Sequence, residues 1–265
     1  MVIRDDGDGQ GVLCIPQSQH AAISGQMARA WVDEAFAKPL PQEEVCLAAE
    51  RHDNGMDRFD ADPKLDSETG LPLSFMRMPL DLWLDSWTRG PETVGNRSPY
   101  AGLLVSLHGE YLLDFRRLED EDDEGRAAAE AWRDGQSRLR EHLTERAGYE
   151  RRLVKSLEPA TIERGRKLIE IWDAMSLAVC MPRLPLRLED VPGAGESGEL
   201  EMRQAPGEAG PTRVEVEPWP FEPSKVPLAA EGRRLTGTYA DDRELKAALA
   251  AAPRETLSVT LISAP

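Results

Sequence analysis

The chain has 265 residues, 40% of them hydrophobic and 30% charged, and so can bury a sizeable core without disulfide or metal staples. A formal charge of −16 argues against nucleic acid and membrane surfaces as partners, since both select a basic face, and leaves room only for a local cationic pocket that takes a small phosphorylated substrate. Cys14, Cys46 and Cys180 are odd in number and widely spaced, which gives neither a disulfide framework nor a zinc knuckle and points to a reducing, cytoplasmic compartment; the acidic, Gly-rich start is unlike a signal peptide and no apolar run reaches the length of a membrane span.

In chain order, VIR and VLCI flank a turn rich in Asp and Gly and predict a small hairpin. From Ser18 to about Phe36, Ile23, Met27, Ala30 and Trp31 recur at helical spacing until Pro39 and Pro41 stop the segment. Gln42 to Asp53 predicts a short second helix, with Val45, Ala48, Ala49 and His52 on one face and Asn54-Gly55 as its C-terminal cap. Met56 to Met78 is too dense in Asp, Gly and Pro for a regular element and predicts a long ordered loop.

Pro79 to about Thr93 carries Leu80, Trp83, Leu84 and Trp87 on one face, and the strongly apolar run from Pro99 to about Phe115 predicts a central helix. A solvated acidic run, LEDEDDEG, leads into a charged surface helix that ends near Gly148. Thr161 to Met181, apolar around much of its circumference, closes the helical part. Residues 186–212 are rich in Gly, Pro and Glu and read as a loop or linker; RVEVEPWPF and LSVTLIS then predict strands on either side of a short helix from Asp241 to Ala251. The expected architecture is mainly α. Residues 1–185 form a helical domain with its N-terminal hairpin, and residues 213–265 form a β/α segment that packs on it, so that hairpin and C-terminal strands make a small β appendage.

Four histidines are present, and three fall on apolar helix faces. His20 lies with Ile23, Met27 and Trp31; His52 lies with Val45, Ala48 and Ala49; His108 has Leu104, Val105, Tyr111 and Leu112 one turn away. His142, among Arg138, Glu145 and Arg146, reads as a surface residue. A single histidine on such a face is ordinarily a satisfied core residue. Three of them, one followed directly by Asp53, point to a shared metal, because neutral imidazole is a good ligand and burial costs free energy unless a partner is found. Asp173 sits in the apolar segment LIEIWDAMSLAVC, where an ionised carboxylate needs either a salt bridge or a metal. Mixed imidazole and carboxylate ligation suits a divalent manganese, iron, zinc or cobalt ion.

The segments QSQHAAISGQMARAW, ERHDNGMDRFDADP, SPYAGLLVSLHGEYL, WDAMSLAVC and PWPF are similar to those of the domain of unknown function 3891 family, along nearly the whole chain. Met56 and Phe59 depart from that family after the His-Asp pair, whereas Asp60 is kept. The order His20, His52-Asp53, His108, Asp173 also resembles the HD superfamily of metal-dependent phosphohydrolases over residues 15–181. That resemblance implies an HD-like helical bundle. It also implies a divalent cation held by His20, His52, Asp53 and Asp173, with His108 as a ligand to a second ion or as a proton donor, in an enzyme acting on a small phosphoester or nucleotide. Asp60 would then orient the attacking water or an imidazole, and Gln17 would contact substrate or cap its helix. The alternative is a metal- or small-ligand-binding protein that does no chemistry. The oligomeric state is not legible.

Overall fold

Residues 1–7, 9–31, 36–193, 195–207 and 212–265 are described by the computed structural model of the chain. The elements are, in order, β1 (Val2–Asp5), β2 (Val12–Ile15), α1 (Gln17–Ala30), α2 (Gln42–Arg51), α3 (Asp57–Ala61), β3 (Leu65–Asp66), β4 (Leu71–Pro72), α4 (Leu80–Arg97), α5 (Pro99–Asp114), α6 (Asp123–Gly148), α7 (Pro159–Cys180), β5 (Leu186–Val191), β6 (Gly198–Gln204), β7 (Arg213–Glu217), β8 (Lys225–Leu235), α8 (Asp242–Ala251) and β9 (Arg254–Ser263). Local chemistry sets several helix starts. Ser98 accepts the Ala101 N–H ahead of Pro99 at the start of α5, and Asp122 accepts the Gly125 N–H at α6. At α8, Asp241 takes the Glu244 N–H while the Glu244 carboxylate reaches back to the Ala240 N–H.

The expected mainly α, HD-like bundle with a small β appendage is corrected by the sheet. Seven strands, in the order β1-β2-β8-β9-β7-β6-β5, form one curled mixed sheet, antiparallel except where β7 runs parallel to β9; β3 and β4 form a second, two-stranded sheet. Three of the seven strands lie where none was expected. Within 186–212, taken as a loop or linker, β5 and β6 pair antiparallel, with Leu200 and Met202 buried between charged neighbours that mask the alternation. In β8, Val226, Leu228 and Ala230 point inward and alternate with exposed residues; the short alanines, Pro227 and Gly232 dilute a signal that long-range pairing to β9 makes good.

The helices other than α8 gather on one face of this sheet. Their core, with Ile23, Met27, Trp31, Leu104 and Trp172, continues into Leu13 and Ile15 of β2 and Leu200, Met202, Val214, Val216, Leu228 and Ala230 of the other strands. The alternate residues of β2, Val12 and Cys14, face the other way and form a smaller core with Leu235, Leu245 and Leu249 under α8. The helix expected from Ser18 to Phe36 ends as α1 at Ala30, and residues 32–35 lie outside those described. The loop expected from Met56 to Met78 contains α3 and the β3–β4 pair. Among the described residues no helix is long and apolar enough to cross a membrane.

Candidate metal centre

Four helical segments each deliver one or two polar side chains to a single buried point. His20 comes from the first turn of α1, His52 and Asp53 from the end of α2, His108 from the middle of α5, and Asp173 from α7. All five are buried, and His108 is 0% exposed. Two glycines set how closely the supporting backbone approaches. A Cβ on Gly55, just past the His-Asp pair, would meet the Ser86 carbonyl oxygen of α4 at 1.9 Å, and one on Gly109 would meet the Trp87 ring at 2.5 Å, so Trp87 can pack against His108 only because position 109 has no side chain.

The three imidazoles form an edge-to-face chain, with centroids 5.1 Å apart from His20 to His52 and 5.2 Å from His52 to His108. Asp173 faces all three: Oδ1 lies 3.5 Å from His52 Nε2 and 3.8 Å from His20 Nδ1, and Oδ2 lies 3.4 Å from His108 Nε2. Asp53 Oδ2 is 2.5 Å from His20 Nε2 and 3.7 Å from His52 Nε2. One ligand atom each from His20, His52 and Asp173 falls within 4.8 Å of the others, a set slightly open relative to the roughly 3–4 Å between neighbouring ligands about 2.1 Å from a first-row cation.

Hydrogen bonding separates the histidines. His52 Nδ1 lies 2.8 Å from the Ala49 carbonyl oxygen, which can only accept, so Nδ1 carries a proton and Nε2 is the atom turned to the carboxylates; Nε2 is buried and has no aligned hydrogen-bond partner. Both nitrogens of His108 are buried without an aligned hydrogen-bond partner, although Nε2 faces Asp173 Oδ2. His20 is engaged on both sides, by Asp53 and by Ser176 Oγ at 2.9 Å, and Ser176 donates in turn to the Asp173 carbonyl oxygen.

Electrostatics follow from this arrangement. Burial works against charge on His52, but Asp53 and Asp173 overcome it and push its pKa up to about 9. Burial dominates at His108 and lowers its pKa, keeping that imidazole neutral. The Asp173 carboxyl, which burial alone would raise, is held well below the usual carboxylate range by His108 and His52. A buried carboxylate among imidazoles with unmatched nitrogens is a donor set that a divalent cation satisfies.

A cavity of 270 Å³ adjoins the cluster and is lined by Gln17, His20, Asp53 and Asp173 together with Trp83, Trp87 and Arg116. Gln17 is thus at the site, and its Oε1 is buried without a partner. Asp60 is not. Its Oδ2 accepts the Gln17 backbone N–H at 2.5 Å, its Oδ1 lies 2.8 Å from the Met1 amine, and it lines a separate cavity with Cys14 and Leu249. One oxygen ties α3 to the start of α1 and the other meets the Met1 amine, so the structure places Asp60 outside the cluster and outside the cavity beside it.

Sequence reasoning missed Ser176 and Arg116. Ser176 is one turn beyond Asp173, a spacing that could have been read as a shared face. Arg116 follows the end of α5 in an unpatterned stretch and carried no such signal.

The helical HD fold that the motif order implied finds no support, since the same residues are carried here over a seven-stranded sheet. No curated protein and no solved structure matches the chain. A family model described as a protein of unknown function, DUF3891, matches residues 1–237, and the chain belongs to that family.

Proposed function

We propose that this chain is a metal-dependent hydrolase of a small phosphoester, with His20, His52, Asp53 and Asp173 holding a divalent manganese, iron, zinc or cobalt ion. The observation that carries the metal is His52. Its Nδ1–H is anchored on the Ala49 carbonyl, which orients a buried, otherwise unpartnered Nε2 at Asp173, the second-layer arrangement that metal-ligating histidines use. A bound cation supplies an acidified water and polarises a phosphoryl oxygen. Asp173 divides its two oxygens between His52 and His108, which places His108 to serve as a ligand to a second ion or as a proton donor. Gln17 borders the cavity where substrate enters. Three buried cysteines without disulfides support the expectation of a reducing, cytoplasmic setting.

The test combines metal analysis with turnover. The purified protein is expected to carry stoichiometric metal, to lose melting temperature on chelation, to regain it with one of the four ions, and to hydrolyse members of a phosphoester panel. Absence of metal together with an unchanged melting temperature on adding each ion overturns the metal centre. Metal without turnover overturns the hydrolase and leaves a metal- or small-ligand-binding protein.

A further inference from the structure

The cavity beside the cluster has a wall that hydrolysis by the metal-binding residues does not use. Phe75, Trp83, Trp87 and Phe115 line it, and Arg116 is its arginine. The Arg116 guanidinium lies over the Trp83 ring, 5.7 Å from its centroid, and donates one bond, Nη2 to the Met78 carbonyl oxygen at 2.9 Å. No carboxylate pairs with it among the described residues. Arg77, Arg89, Arg133, Arg166 and Arg203, by contrast, all sit on acids. Burial pulls the Arg116 pKa below its ordinary value, and the Glu121 carboxylate, not in contact with it, offsets only part of that. Two of the few large apolar side chains left exposed, Phe115 at 69% and Met76 at 52%, also belong to this cavity.

We propose that the cavity selects aryl phosphates, with Arg116 taking the phosphoryl oxygens and Trp83, Trp87 and Phe115 taking the ring. This rests on reading the site as a phosphoester site. At 270 Å³ the cavity falls just below the range for drug-sized ligand pockets, about 300–1,000 Å³, which suits a ligand as small as one ring plus one phosphoryl group. A guanidinium presents paired donors that match phosphoryl oxygens, and the Trp83 ring and the Met78 carbonyl hold it at the cavity. In the hydrolysis, water supplies the new P–O bond, the P–O bond to the aryl oxygen breaks, and the phenol leaves with a proton from that water.

Binding is measured by calorimetry on the protein as purified, with phenylphosphonate, methylphosphonate and phenol, whose bonds the enzyme cannot hydrolyse. Phenylphosphonate should bind at least about tenfold more tightly than methylphosphonate; Arg116→Met should weaken phenylphosphonate by about 10- to 100-fold and leave phenol unchanged, and Arg116→Lys should recover part of the loss. Phe115→Ala, at an exposed position, should weaken phenylphosphonate and spare methylphosphonate. Equal binding of the two phosphonates, or wild-type affinity in Arg116→Met, overturns the proposal. The expected binding pattern without turnover of any ester sinks the hydrolase and leaves the selection standing. Equal kcat/KM for phenyl and methyl phosphate, indifferent to Arg116→Met, does the reverse.

Discussion

The two faces of α1 carry glutamines in opposite circumstances. On the sheet side, β8 has β9 beside Lys225–Arg233 but β2 only beside Arg233–Leu235, so the N-terminal part of one edge lacks a strand. Side chains complete it: Gln26 donates to the Ala229 carbonyl and accepts the Ala229 N–H, both at 3.0 Å, and Gln19 accepts the Glu231 N–H at 3.0 Å. On the opposite face, Gln17 and His20 turn to the cavity, and Gln17 Oε1 is buried with no partner. On the sheet side, the glutamine amides and the backbone match one another. Indole nitrogens, the Tyr100 hydroxyl and Arg51 Nε are left unmatched elsewhere, but the buried imidazole nitrogens without an aligned partner belong to His52 and His108, whose Nε2 atoms both face Asp173.

The largest expected effect tests that contrast directly. Asp173→Asn keeps the shape and removes the charge; metal affinity by titration calorimetry should fall by at least about a hundredfold, and the metal-dependent rise in melting temperature should vanish. Wild-type affinity in this variant would erase the distinction between the two faces.

Next in size is a pH dependence. The folded pKa of His52 is raised from 6.5 to about 9, so its proton stabilises the metal-free fold fully below pH 6.5, and this contribution is lost as pH rises through 9. A metal must displace that proton. Its affinity should therefore climb by about tenfold per pH unit from 7 to 9 and level off above. Dissociation constants measured from pH 6.5 to 9.5 check this, and a flat profile would place the proton elsewhere.

Much of the site was legible in the sequence and much of the sheet was not, for one physical reason. His20, His52 and His108 stand on amphipathic helices, where i, i+3 and i+4 neighbours reveal which way a side chain faces. Asp173 stood out as a carboxylate in an apolar helix. Strand pairing depends on partners far away in sequence. β8 finds β9 and β2, and β5 finds β6 across a Gly-rich turn, so short alternations such as LRLE and ELEMR look like charged loop until their partners are known. Asp60 shows the limit from the other direction. Its place just after the His-Asp pair suggested chemistry, but burial and two local partners make it a tether. Asp60→Asn should cost about 1–3 kcal/mol in denaturant unfolding and leave metal affinity within about twofold; a hundredfold loss of affinity would restore the catalytic role.

The smallest effects divide the glutamines. Gln26→Ala strands the N–H and C=O of Ala229 at a partly solvated edge, where water replaces most of what is lost, so it should cost about 0.5–1.5 kcal/mol without changing metal affinity. Gln17→Met removes a buried oxygen that has no partner and keeps a side chain of similar length. Its stability should stay level or rise by a few tenths of a kcal/mol, because the desolvation penalty disappears with the oxygen. Equal losses in the two variants, measured by urea denaturation, would mean that Gln17 is as much a part of the architecture as Gln26. A stable Gln17→Met that binds phenylphosphonate more weakly would instead locate on the cavity face of α1 a polar group retained for a ligand at the expense of the fold.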